Sequence, residues 1–450
     1  MEFNTEEKIG NWKNYLDAHG SFLPGDLDEL ESHLRDEIDA LRKSGLDAEE
    51  AYFIAVKRLG KTDELSREFY KINAQSLWKH LFVASEAGKA SGAFHDVWKI
   101  IGLALLAGLL GKIPDLFGHR ITNDADSLIY LRNLGLFFIP VIGTWFVVQK
   151  KYSAGSLSMF ALVCVGGFLA VNFYPFTGVK HTEALAGIHL VILLWMAMER
   201  LYSSGQELSA GRMNYITFSG EFFIYAVLCY LGGGVFTLFF AALFNTLNIQ
   251  LESFITEYIF VLGGLGVPVV AVYLVEKKKA LIENMAPVLA KIFTPLFLVL
   301  IFGFLAALGS RQLNLSIERE TLIIFNFLLI LVLGLVLYSL SARQPGAKPG
   351  ISDYLVVALI AVTLIADVFA MQAIIARLSR FGLSPNKAAA LGENVLLFMN
   401  LAGLAYTFSG TISGRRSFSR LEQWQSFCYT VFMIWMAVGV FVFPLIFRFA

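Results

Sequence analysis

Asp367 lies inside the apolar run 354–376. An ionisable side chain in a membrane-spanning helix costs about 2.5–3.5 kcal/mol unless it has a partner or a water-filled cavity. Arg132 and Lys112, in the apolar runs 128–148 and 97–117, are the cations that could neutralise it. At roughly 1.5 Å per helical residue, Asp367 is about 20 Å from the start of its run, hence around 10 Å below the far surface, with Arg132 and Lys112 at comparable depth. His189, Asn172 and Asn400 fall in the same outer half. Above them, between runs 354–376 and 395–409, stands the polar segment Ser384-Pro385-Asn386-Lys387-Ala388-Ala389-Ala390-Leu391-Gly392-Glu393-Asn394. Together these residues predict a polar cluster opening outward, with Ser384, Asn386, Glu393 and Asn394 at its mouth. The other reading of Asn386, Glu393 and Asn394 is as helix caps of a short re-entrant turn, with Pro385 at the first helical position.

In the opposite half, Glu221 and Lys291 each lie about 8–9 Å from the inner boundary and can pair if their spans touch. Tyr225, one turn beyond Glu221, shares its face and could donate its hydroxyl. Such pairs serve either a solute or ion pathway or the register of packed helices. No second His or Cys stands at ligand spacing beside His189, so no metal is expected and a hydrogen bond between helices is its simpler use. Phosphate-binding loops, nucleophile elbows, HExxH motifs and Cys–His pairs are absent, and no cofactor or catalytic residue is assigned. If there were chemistry, Asp367, Glu393 or Glu221 would be its acid or base.

The elements that must position these groups are membrane spans. Apolar residues make up 56% of the chain and charged ones 16%, at a mean hydropathy of +0.62, which places most of it in lipid. Eleven stretches reach or approach the roughly 20 residues a span needs: 97–117, 128–148, 156–175, 184–201, 215–243, 254–275, 286–308, 321–341, 354–376, 395–409 and 425–447. With residues 1–75 inside, the junctions divide their Lys and Arg twelve inside to seven outside, the sense of the positive-inside rule. An external C-terminus follows. The triple glycine Gly232-Gly233-Gly234 predicts close helix packing, and Pro268 and Pro295 predict kinks. Cys164, Cys229 and Cys428 all lie in apolar runs, so no disulfide framework is expected. The spans do not divide into matching halves.

Residues 1–75 carry a net charge of −7 against +7 for the remainder, so the head and body occupy different solvents. Leu27, Leu30, Leu34, Ile38 and Leu41 recur at helical spacing before Gly45, and Asp47-Ala48-Glu49-Glu50 opens the next helix, which closes at Gly60; Thr62-Asp63 starts another. This predicts a small helical domain over 1–73 and a linker or interfacial helix over 74–96, ahead of a transmembrane domain over 97–450. The charged run 26–39 reads as a solvated helix face or a partner surface. An acidic head gives no footing for nucleic acid.

Two resemblances rest on quoted residues. Phe381-Gly382 with the segment Ser384–Asn394 resembles the GxTPNxxAxLGEN stretch of a bacterial membrane family, domain of unknown function 4153. Glu283-Asn284-Met285-Ala286-Pro287, Thr294-Pro295, Trp435 and Phe443-Pro444 agree with it over residues 100 to 450. The run Leu30–Ile38 with Ala51–Gly60 is similar to the permease prefix (HAAS signalling) domain. The first implies an architecture and no activity, in a bacterial cytoplasmic membrane. The second implies regulation or docking of a cytoplasmic protein partner. The expected protein is therefore an all-α polytopic bundle bathed in membrane lipids, with permease-like transport or sensing governed by a cytoplasmic head. An enzyme acting on a lipid or lipid-linked substrate and a structural subunit of a membrane complex are the alternatives.

Overall fold

The computed structural model describes residues 5–6, 8–10, 12–13, 24–59, 90–150, 152–176, 181–245, 251–277, 286–310, 319–341, 343 and 348–449. Every regular element among them is a helix. The chain divides into a head, Met1–His95, and a body, Asp96–Ala450.

In the head, α1 (Pro24–Lys43) and α2 (Ala48–Leu59) pack Leu34, Ile38 and Leu41 against Ala51, Tyr52 and Ala55. Gly45 takes φ +99° in the turn between them, a left-handed conformation that costs glycine nothing. The Asp47 carboxylate accepts from the Glu50 amide at 2.8 Å, capping α2 as the sequence predicts. The expected helix from Thr62 and most of the 74–96 linker lie outside the described residues.

The body comprises α3 (Ala90–Gly111, of which Asp96 onward belongs here), α4 (Ser127–Gln149), α5 (Ala154–Phe173), α6 (His181–Tyr202), α7 (Leu208–Asn245) and α8 (Glu252–Lys277). There follow α9 (Ala286–Ser310), α10 (Arg319–Ser341), α11 (Ile351–Phe381), α12 (Pro385–Ile412) and α13 (Phe418–Ile446). Among the described residues nine of these, α4–α8 and α10–α13, are long and apolar enough to cross a membrane. The two other predicted stretches coincide with α3 and with α9, whose apolar run is Ile292–Ala306. Exposed Leu162, Phe173, Leu231, Phe236, Leu238, Phe239, Val299 and Phe327 give the outer surface an apolar character that only lipid accommodates. The chain is an all-α, multi-pass integral membrane protein.

The body holds two apolar cores. The first is built by α3–α8 with the second half of α13, around Trp145, Phe146, Leu190, Leu194 and Phe218. The second is built by α9–α12, around Leu329, Leu359, Leu401 and Phe408. The N-terminal ends of α7 and α13 join both, through Met213 and Leu421. Gly187 lets α6 cross α4 closely, since a Cβ there would lie 2.7 Å from the Arg132 Cα.

One local expectation changes. The triple glycine mediates no close packing: a Cβ on Gly232, Gly233 or Gly234 meets open space among the described residues, because α7 runs unbroken past the core. Pro268 leaves no gap in α8. Its ring denies the Gly264 carbonyl the usual amide partner four residues on, and the Tyr230 hydroxyl donates to that carbonyl instead, at 2.7 Å. A π-helix precedes it over Ile255–Gly263. Pro295 lies within a continuous helix. All three cysteines are unpaired by disulfides.

Candidate binding site

The segment Ser384–Asn394 forms no re-entrant turn. Pro385 opens α12 at its first position, as expected, and the helix then runs on to Ile412. Ser384, extended at φ −137°, is the N-cap residue, and its side chain makes no capping bond. Gly382, at φ +70°, ends α11, the one place here where a left-handed residue is required.

With the segment helical, its polar residues radiate to different neighbours. Lys387 Nζ donates to the carbonyls of Phe381 at 3.2 Å and Gly382 at 2.7 Å, locking the α11–α12 hairpin. Asn386 and Glu393, seven residues apart on one face, both turn to α6. Asn386 Nδ2 lies 3.3 Å from His181 Nδ1, and Glu393 Oε1 lies 3.2 Å from His189 Nε2. Asn394, buried, donates to Asn326 of α10 at 3.1 Å. Gly392 receives the Trp435 indole of α13, whose ring would stand 2.0 Å from any Cβ there. These engagements leave a cavity of about 460 Å³ between α6, α10, α11 and α12. Its polar lining is His181, Asn326, Arg377, Asn386, Lys387 and Glu393, with Ser384 at the rim, and its remaining wall is aliphatic.

His189 is the most constrained of these groups. It is 2% exposed, and Nδ1 is 2.8 Å from the Leu185 carbonyl, four residues back on its own helix. Gly439, in the π-helical stretch Val438–Val442 of α13, makes room for the ring, because a Cβ there would stand 2.3 Å from Cδ2. Its Nε2 faces Glu393 out of line for a hydrogen bond. No three His, Cys, Asp or Glu side chains converge on a metal position among the described residues.

The expected pairing of Asp367 with Arg132 or Lys112 is corrected. Arg132 belongs to the first core and donates to Glu183 of α6 at 2.8 Å. Lys112 pairs with Asp115, donates to the Glu257 carbonyl at 3.2 Å and lies over the Tyr258 ring. Asp367 belongs to α11 beside the second core; it is fully buried and neither carboxylate oxygen has a hydrogen-bond partner. Because α11 extends to Phe381, Asp367 is about 21 Å from that end rather than 10 Å, two turns deeper than Ile374, which does line the cavity. Asn172 forms a reciprocal amide pair with Asn133, at 2.8 and 3.0 Å. Asn400 accepts from Gln425 at 2.9 Å. Glu221 is buried on α7, whereas the Lys291 side chain, and so the Glu221–Lys291 pairing, lies outside the described residues.

Several groups escape the sequence reading. Glu183 and His181 belong to the first turn of α6, which the predicted span 184–201 omits. Arg212 counts in the sequence only as a junction charge, yet it is buried and ties α7 to Ser426 and Thr430 of α13. Glu276 accepts from Trp145 at 2.7 Å and lies 3.4 Å from Lys150, whose ammonium stands over the Tyr202 ring. The only available signals were a polar residue immediately before an apolar run, for Glu183, and an Asn within one, for Asn326. No protein-family model, no curated protein and no solved structure matches the chain.

Proposed function

We propose that the body recognises a small solute in the cavity between α6, α10, α11 and α12, for permease-like transport or for sensing. The observation that carries this reading is the division of labour in Ser384–Asn394: its polar side chains engage three other helices, and around those contacts they line one cavity. Convergent polar groups in an otherwise aliphatic cleft are the usual form of a ligand site. The likeness to the 4153 family and to the permease prefix domain supports a bacterial cytoplasmic-membrane protein whose head is cytoplasmic and binds a protein partner. The Lys/Arg asymmetry supports the cavity opening on the external side, with the C-terminus there.

The test is a thermal-stability screen of the purified full chain in nanodiscs against a panel of anionic, neutral and cationic small molecules. A solute that stabilises the wild type, and does so no longer in Asn386→Ala or Arg377→Ala, supports the reading. Stabilising solutes indifferent to both substitutions, or none in the whole panel, refute it.

A further inference from the structure

We infer that the cavity takes an aliphatic zwitterion: a primary ammonium and an anionic oxygen group, carboxylate or phosphodiester, joined by a short spacer and carried on an aliphatic body. The inference rests on the proposed reading of the cavity as a ligand site and names its ligand class.

The hydrogen bonds that the lining residues already make leave the cavity polarised. On the α6 side stand two acceptors. An amide nitrogen only donates, so Asn386 Nδ2 gives its bond to His181 Nδ1 at 3.3 Å and leaves Oδ1 free to accept. Glu393 accepts from no donor among the described residues, because His189 Nε2, 3.2 Å away, is out of line and makes no hydrogen bond. On the α10 and α11 side stand two donors. Asn326 Oδ1 accepts from Asn394 at 3.1 Å, which leaves the Asn326 Nδ2 hydrogens to give. Lys387 Nζ has three hydrogens, and two of them go to the Phe381 and Gly382 carbonyls. Arg377 also lines the cavity but is already engaged with a partner of its own.

One acceptor, Glu393, and one donor, Lys387, are charged, and among the described residues neither has a hydrogen-bonded counter-ion. A simple cation would satisfy the acceptors alone, and a simple anion the donors alone. A neutral hydroxyl compound could meet both but would leave both charges without counter-ions. A zwitterion meets both with charge-assisted hydrogen bonds and brings no net charge into a half-buried site. The remaining wall, with Leu185, Ile188, Leu322, Ile323 and Ile374, is aliphatic and holds no aromatic ring, which sets the body of the ligand. Ile188 and Ile323 are 48% and 57% exposed, so this wall is partly open to the bilayer. A free solute and an aminoethyl phosphodiester lipid headgroup share the chemistry.

The experiment titrates the full chain, in phosphatidylcholine nanodiscs, with L-leucine and two truncated forms of it: isocaproate, which lacks the ammonium, and isoamylamine, which lacks the carboxylate. Phosphatidylcholine itself has no N–H to donate. Leucine is expected to bind, and each truncated form to bind about tenfold or more weakly, the scale of one charged hydrogen bond. Glycine, without the aliphatic body, should also bind about tenfold or more weakly. Glu393→Gln should weaken leucine and leave isocaproate unchanged, a split that a merely structural role would not produce. Repeating the titration in phosphatidylethanolamine nanodiscs separates the sources: competition by that lipid identifies a bilayer headgroup as occupant, and its absence a free solute. A truncated form that binds as tightly as leucine overturns the zwitterion, and glycine binding as tightly overturns the aliphatic body. Failure of leucine to bind overturns the ligand class, while an Asn386-dependent stabilising solute of another class would still uphold the cavity as a site. Leucine and its truncated forms are compared on the wild type, so the inference stands or falls even if Glu393→Gln fails to fold.

Discussion

Replacing Glu183 should damage the fold far more than replacing Asp367, although both are buried carboxylates on spanning helices. Glu183 and Arg132 meet at 2.8 Å, with side chains 5% and 19% exposed, where Gly187 brings α6 against α4. Glu183→Ala leaves the guanidinium, whose Nε already lacks a partner, buried without a counter-charge. The expected loss is about 3–5 kcal/mol, a factor of roughly a hundred to several thousand in the folding equilibrium. Asp367 has no partner to strand, so Asp367→Asn should change stability by no more than about 1 kcal/mol, the scale of a single hydrogen bond. Replacing the pair together, Arg132→Met with Glu183→Leu, should recover most of the loss, since matched apolar side chains often equal a buried ion pair. Denaturant titration in mixed micelles, read by tryptophan fluorescence, reports all four proteins. An Asp367→Asn loss as large as that of Glu183→Ala, or a double variant no better than the single one, would refute the assignment of Arg132 to Glu183.

Three further outcomes follow from other parts of the body. Tyr230→Phe should cost about 1 kcal/mol by removing the donor to the Gly264 carbonyl, and the cost should shrink in a Pro268→Ala background, where an amide returns; equal losses in both backgrounds would show that the hydroxyl does not replace the missing amide. Gly392→Ala should destabilise by about 1–3 kcal/mol, because a Cβ 2.0 Å from the Trp435 ring forces it aside; wild-type thermal stability would contradict this. In the α3–α4 loop, the His119 ring beside Asp126, with the Arg120 amide, holds the Asp126 carboxyl below its usual range. A depressed carboxylate contributes order above its unfolded range and loses it as pH falls through the folded one. Hydrogen-exchange protection of the Arg120 amide should therefore persist at neutral pH and vanish only as the pH falls below the usual carboxylate range; loss near neutrality would contradict the contact.

Apolar runs made the architecture legible, because membrane spans are written in composition and length. Their ends were less so. Predicted span 395–409 is the core of a 28-residue helix that begins at Pro385, and that extension turns Ser384–Asn394 from a loop into the helix face bearing the site. The motif itself stood out as polar residues between apolar runs. Hydropathy placed Asp367 and Arg132 within spanning helices. It could not reveal that they belong to different halves of the bundle, since periodicity within a helix carries no information on which helices touch. For the same reason the partners His181, Asn326 and Glu183 were invisible until the packing was known.

The most direct test of the central claim is a high-resolution cryo-EM map of the full chain in nanodiscs with the stabilising solute added. Density for that solute is expected within the cavity, within hydrogen-bond reach of Arg377, Lys387 or Asn386. A cavity that stays empty while solute density appears elsewhere, above all along a water-filled path to Asp367, would contradict it.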